Sequence, residues 1–208
     1  MNGKGCQPIY SIIQPKATNI VPYLREKWEI MLNDDISEDD IHNAFKITQK
    51  FPKCVYNRYV QFKILHDRLN TRQLLHKMKI FNTNECLYCK NQIDTTIHEL
   101  IECPETANLW RQAELWLREH IDRHIKISNK EKIFGLPVKN NISFQINIFI
   151  ISTKLHIYQR RPEGQKCKIL DILRIIKNEM LASEYESELN QNMVQFDTKW
   201  GVYKNIIR

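Results

Sequence analysis

Three cysteines and a histidine, Cys86, Cys89, His98 and Cys103, stand close together in a 208-residue chain in the order C-x2-C-x8-H-x4-C. No other feature limits the possible folds as strongly. A two-residue knuckle puts two sulfurs on one side of a turn. A histidine and a cysteine little more than one helical turn apart can supply a second pair. Four soft or borderline donors of this kind suit a tetrahedral zinc ion, with bonds of about 2.0–2.3 Å. A disulfide framework would need an oxidising compartment, and the N-terminus, MNGKGCQPIYSIIQ, shows no secretory signal pattern. A C-x-x-C redox pair would need a βαβ setting that the sequence lacks. Chance assembly of four core residues stays open at this point. The other cysteines, Cys6, Cys54 and Cys167, are isolated and are expected to act as small apolar residues.

The donor count also sets the kind of zinc site. A catalytic zinc keeps three protein ligands and an open position with a general base nearby. Here four donors close the shell. Glu99 and Glu102 flank His98, but no second histidine brackets a glutamate. The expected cofactor is therefore a structural Zn2+.

Around this cluster the apolar spacing is helical, so the expected fold class is mainly α: small helical domains around a CCHC zinc knuckle. Residues 1–22 hold Gly3, Gly5, Pro8 and Pro15 and read as an extended lead-in. Residues 23–128 read as a helical region with the knuckle at 81–104. Within it, helices are expected at Tyr23–Leu32 and from the Ser37–Asp40 capping box to Lys50. Others follow Pro52, run from Thr71 to Met78, and follow Pro104 for about four turns. In the helix after Pro52, Val55, Tyr56, Tyr59, Val60, Phe62 and Ile64 are expected to form the buried face. Gly135, Pro137 and Asn140-Asn141 mark a loop. Residues 129–208 read as a C-terminal helical region with helices at Phe144–Arg160, Lys168–Ser183 and Glu186–Tyr203. The apolar window from Ile142 to Tyr158 is broken by polar residues, so it is expected to be a buried helix and not a membrane span. The chain reads as soluble and intracellular, in cytoplasm, nucleus or both.

Charge is unevenly placed. The net charge is +7. The segment from Lys50 to Lys79 carries eight cations against the single carboxylate Asp67, which accounts for the whole excess. Such a patch permits an anionic partner without requiring one. Trp28, Trp110, Trp116 and Trp200 are expected in the core.

The residues around the knuckle also follow a longer pattern. Arg68-Leu69-Asn70-Thr71, Leu74-Leu75, the two knuckle cysteines, Asp94-Thr95-Thr96-Ile97-His98 through Cys103-Pro104, and Leu109-Trp110 come in that order. This stretch, from about Phe51 to Trp116, resembles the zinc-binding region at the C-terminal end of reverse transcriptases from LINE-type (non-LTR) retrotransposons. One departure is Glu99-Leu100, where that family commonly has Leu-Phe. The resemblance implies RNA or DNA as partner, together with the polymerase portion of a retrotransposon protein. On that reading Arg58, Lys63, Arg68, Arg72, Lys77, Lys79 and Lys90 would contact phosphates, and Tyr88 would stack on a base or pack locally. The polymerase's aromatic-x-Asp-Asp turn is missing. Asp34-Asp35 and Asp39-Asp40 lack the aromatic and suit helix ends. The expectation is a non-catalytic module supporting template or primer binding. The alternative is a zinc-stabilised docking module without nucleic-acid contact.

Overall fold

The computed structural model describes residues 20–160 and 166–207. Among the described residues nine α-helices follow one another: α1 (Ile20–Leu32), α2 (Glu38–Lys50), α3 (Val55–Leu65), α4 (Arg72–Lys77), α5 (Pro104–His120), α6 (Asn129–Phe134), α7 (Asn141–Arg160), α8 (Ile169–Leu189) and α9 (Met193–Ile207). A π-turn at His98–Glu102 precedes α5. Among the described residues there is no strand, only an isolated antiparallel bridge between Glu85 and Ile93. The structure is thus mainly α. Helix α1 starts three residues before its expected position, and the rest of the lead-in, with Cys6, lies outside the described residues.

Local chemistry explains most helix starts. Ser37 and Asp40 form a reciprocal capping box at α2. Burial opposes ionisation of Asp40, but the Ser37 hydroxyl and N–H and the Lys130 ammonium outweigh it and hold the carboxyl below its usual range. Pro104 occupies the first turn of α5, where its missing N–H leaves no gap. Ser128 and Glu131 make a second capping box that starts α6, a short helix just ahead of the Gly135–Asn141 loop and not among the helices expected from sequence.

Helix α7 is the centre of the molecule. Its residues from Ile146 to Ile157 are buried without interruption, and it packs on α3, α5, α8, α9 and the π-turn. At roughly 1.5–3 kcal/mol per fully buried apolar side chain, it is the main contributor to the core. The core cluster runs continuously from Leu24 to Tyr203. Trp28 Nε1 donates to the Leu65 carbonyl at 2.8 Å, which fastens α1 to the C-terminal end of α3. Trp28, Trp110 and Trp200 are buried, and Trp116 stacks on Tyr203.

Three local expectations need correction. The break between the last two helices is at Asn190–Asn192 rather than between Ser183 and Glu186; Gln191 adopts φ 53 there, and α8 runs on to Leu189. Cys54 is exposed at the N-cap of α3, not packed as a small apolar residue. The buried face of α3 is Val60, Gln61, Ile64 and Leu65, whereas Val55, Tyr56, Tyr59 and Phe62 face outward. The helix is apolar almost all round, so its periodicity cannot choose a face; α7 does. Gln61 is buried because its amide donates to the Ile151 carbonyl of α7.

Candidate metal centre

The knuckle is a short hairpin. Asp94 N–H donates to the Asn84 carbonyl at 2.8 Å and Cys86 N–H to the Gln92 carbonyl at 2.8 Å. Between them Lys90 N–H donates to the Cys86 carbonyl at 2.9 Å, closing a turn in which Lys90 takes φ 56. That turn presents Cys86 and Cys89 on one side.

The second pair comes from the π-turn. Thr95 Oγ1 accepts from the His98 N–H at 3.1 Å, and Cys103 N–H donates to the His98 carbonyl at 2.8 Å. This wide i to i+5 closure is the physical reason for the x4 spacing, because it brings residues 98 and 103 over one another. Trp110 Nε1 and Thr106 Oγ1 donate to the Leu100 and Glu99 carbonyls at 2.7 and 2.9 Å. Helix α5 therefore satisfies carbonyls that a π-turn would otherwise leave bare.

All four donor atoms lie within 4.8 Å of one another. Cys86 Sγ is 3.9 Å from Cys103 Sγ, and Cys89 Sγ is 3.4 Å from His98 Nε2. A tetrahedral zinc would separate two thiolates by about 3.8 Å and a thiolate from an imidazole by about 3.5 Å. The two measured edges match both distances. Cys86, His98 and Cys103 are buried, and Cys89 is half-buried.

Backbone donors around the sulfurs favour the anionic form, and burial opposes it. Backbone N–H groups of Tyr88 and Cys89 point at Cys86, and those of Glu105 and Thr106, in the first turn of α5, point at Cys103. The hydrogen bond between the two sulfurs, with burial, pushes the Cys86 thiol up, and the same bond draws Cys103 down against burial. A helix N-terminus beside a sulfur stabilises its thiolate form, the form that binds metal.

One residue outside the donor set couples the centre to the basic segment. Asp94 is buried, and its Oδ2 accepts from Arg72 N–H at 2.7 Å while its carbonyl accepts from Gln73 N–H at 3.3 Å. Thr71 Oγ1 accepts from Leu74 N–H at 3.2 Å. Asp94 and Thr71 together cap α4. The Asp-Thr and Thr-x-x-Leu pairs were visible in sequence as a pattern, but their capping partners, twenty or more residues away for Asp94, were not.

The basic residues surround this frame. Arg58 and Lys63 lie on the outer face of α3, Arg68 in the α3–α4 connection, Arg72 and Lys77 on α4, Lys79 just beyond it, and Lys90 in the knuckle turn. Among the described residues none of these seven forms an ion pair, whereas Lys27, Lys53, Lys130 and Lys204 each do. Arg58 Nε donates to the Pro52 carbonyl, and the Arg72 guanidinium covers the Phe81 ring at 4.6 Å. Tyr88 is half-buried, and its hydroxyl donates to the Ile157 carbonyl at 3.2 Å, which seats the knuckle on α7.

Fold and centre define a helical protein whose Cys86, Cys89, His98 and Cys103 fit a zinc site. Residues 24–110 match the family model described as zinc-binding in reverse transcriptase. That match contains all four donors, the basic segment and Trp110. No curated protein matches the chain. No helix among the described residues is long and apolar enough to cross a membrane.

Proposed function

We propose that the chain is a non-catalytic, zinc-stabilised module of a LINE-type (non-LTR) retrotransposon reverse transcriptase, which holds RNA or DNA for template or primer binding. When bound, zinc would join the hairpin to the π-turn through Cys86, Cys89, His98 and Cys103. Asp94 carries that rigidity to the N-terminus of α4, so Arg68, Arg72, Lys77 and Lys79 are held on one frame with Lys90. Arg58 and Lys63 extend the cationic surface along α3. The observation that carries this reading is the set of seven cations that, among the described residues, form no ion pair. Cations meant only for solubility are commonly laced with carboxylates; among the described residues these seven form no such pair, although Glu186 lies near Arg58. The polymerase portion of the same retroelement protein is the natural protein partner on this reading, in cytoplasm or nucleus.

The test is nucleic-acid binding at several salt concentrations. Phosphate contact gives a log–log slope of about −0.9 per phosphate neutralised on duplex and −0.7 on single strands. Charge reversal of Arg68 and Arg72 should weaken binding and flatten that slope with the fold intact. A weak dependence on salt, with no effect of the reversal, would favour a docking module that makes no nucleic-acid contact.

A further inference from the structure

The outer face of α3 has unusual composition for a solvent-facing helix. Val55, Tyr56, Tyr59 and Phe62 are 77, 49, 53 and 49% exposed. Arg58 and Lys63 are interleaved with them, and the Lys63 ammonium lies 4.8 Å from the centre of the Tyr59 ring. Beside this face opens a cleft of about 460 Å3, lined by Tyr56, Arg72, Leu75, Phe81, Leu87 and Tyr158 among others. Among the described residues no carboxylate lines it. The cleft falls within the roughly 300–1,000 Å3 range of small-ligand sites.

Exposed rings cost hydration unless something covers them, and an isolated Tyr or Phe is ordinary on a surface. Three on one helical face, continuous with an aromatic cleft and interleaved with Arg58 and Lys63, call for an occupant that is both flat and anionic; Glu179 and Glu186 border the other edge of α3, where they hold Asn57 and Lys53. A peptide hydrophobe would satisfy the rings and leave Arg58, Lys63 and Arg72 unmatched. A duplex would satisfy the cations and leave the rings bare, because its bases are already stacked on one another. An unpaired strand satisfies both, since every base has a π-face and every linkage a phosphate.

We propose that this surface binds single-stranded nucleic acid by stacking. One base enters the cleft against Tyr56 and Phe81, neighbouring bases lie on Tyr59 and Phe62, and Arg58, Lys63 and Arg72 meet the phosphates. The inference rests on the nucleic-acid reading above and deepens it by naming the strand state and the rings.

The experiment uses the full chain loaded with zinc, a labelled oligothymidine, and a duplex of the same length. Tyr56→Ala, Tyr59→Ala, Phe62→Ala and Phe81→Ala remove rings without charge; circular dichroism and zinc content check that each variant is folded. Single-strand affinity should exceed duplex affinity at equal salt. Each substitution should weaken it roughly 5- to 150-fold, the range that base–aromatic stacking gives, and the salt slope should stay as in the wild type. Arg58→Gln with Lys63→Gln should instead reduce the slope. Binding to both nucleic acids that ignores the ring substitutions overturns the inference and leaves the proposed function standing. Failure to bind either one overturns both. A wild-type dimer that Tyr59→Ala converts to monomer would make the face a contact between copies, and would also overturn the inference.

Discussion

The carboxylate of Asp94 accepts a hydrogen bond at 2.7 Å from the backbone N–H of Arg72, a residue 22 positions earlier. This contact ties the hairpin of the metal centre to the start of helix α4. Asp94→Ala should lose about 1–3 kcal/mol in urea unfolding of the zinc-loaded protein, because a buried N–H is left without a partner. Asp94→Asn keeps an acceptor and should lose less. Zinc content should stay near one per chain in both, which separates loss of the cap from loss of the metal.

Lys90 closes the knuckle turn with φ 56, a conformation that favours glycine. Lys90→Gly should raise stability by on the order of 1 kcal/mol through relief of the left-handed backbone. Lys90→Ala removes the same charge without that relief. Thermal unfolding of the two variants side by side checks the prediction, and equal melting points would contradict it.

Gly135 ends α6 at φ 79, and a Cβ there would come within 2.7 Å of Asn147 Oδ1 and 2.8 Å of Ile47 Cδ1. The Asn147 amide cannot move freely, because it accepts from Leu136 N–H and donates to the Leu136 carbonyl, each at 2.8 Å. Gly135→Ala should therefore cost about 2 kcal/mol or more, combining backbone strain with crowding. Denaturant unfolding at fixed zinc concentration measures it.

Lys154 sits within α7, and its ammonium donates to the Ile133 carbonyl at 2.7 Å. Burial pushes its pKa down from 10.5 to about 7. Between those two values the unfolded chain binds more protons than the folded one, so this group's share of stability rises with pH across that window. At pH 7 Lys154→Met should stabilise by on the order of 2 kcal/mol, as an apolar chain of similar length replaces a costly buried cation. The advantage should shrink steadily towards pH 10.5. Paired unfolding curves at pH 7, 8.5 and 10 show the trend, and a constant difference would contradict it.

Much of the fold was legible in the sequence where the deciding chemistry is local. The four donors, the Ser37–Asp40 capping box and Pro104 at the start of α5 are read within a few residues of themselves, and the structure has them as expected. Ser128 and Glu131 carry an equally local signal for α6, a helix of only six residues with too few turns to show apolar periodicity. The face of α3 was of another kind. Its sequence offers apolar residues on every side, and only contact with α7, some ninety positions later, selects Gln61 over Tyr59 for the interior. Asp94 is similar, for its partner belongs to a different element. The break at Asn190–Asn192 depends on Gln191 adopting a left-handed conformation that its residue type does not announce.

The central claim is that Cys86, Cys89, His98 and Cys103 hold one zinc ion that orders the knuckle. Structural zinc in finger peptides contributes on the order of 10–16 kcal/mol of apparent binding energy, so its loss should be felt across the middle of the chain. The direct measurement is elemental analysis of purified protein after exhaustive dialysis, for the wild type beside Cys86→Ser and His98→Ala. One zinc per wild-type chain, with loss of zinc and a lower melting temperature in both variants, is the predicted result. A wild type that retains no zinc, or variants that keep the metal and melt as the wild type does, would contradict it.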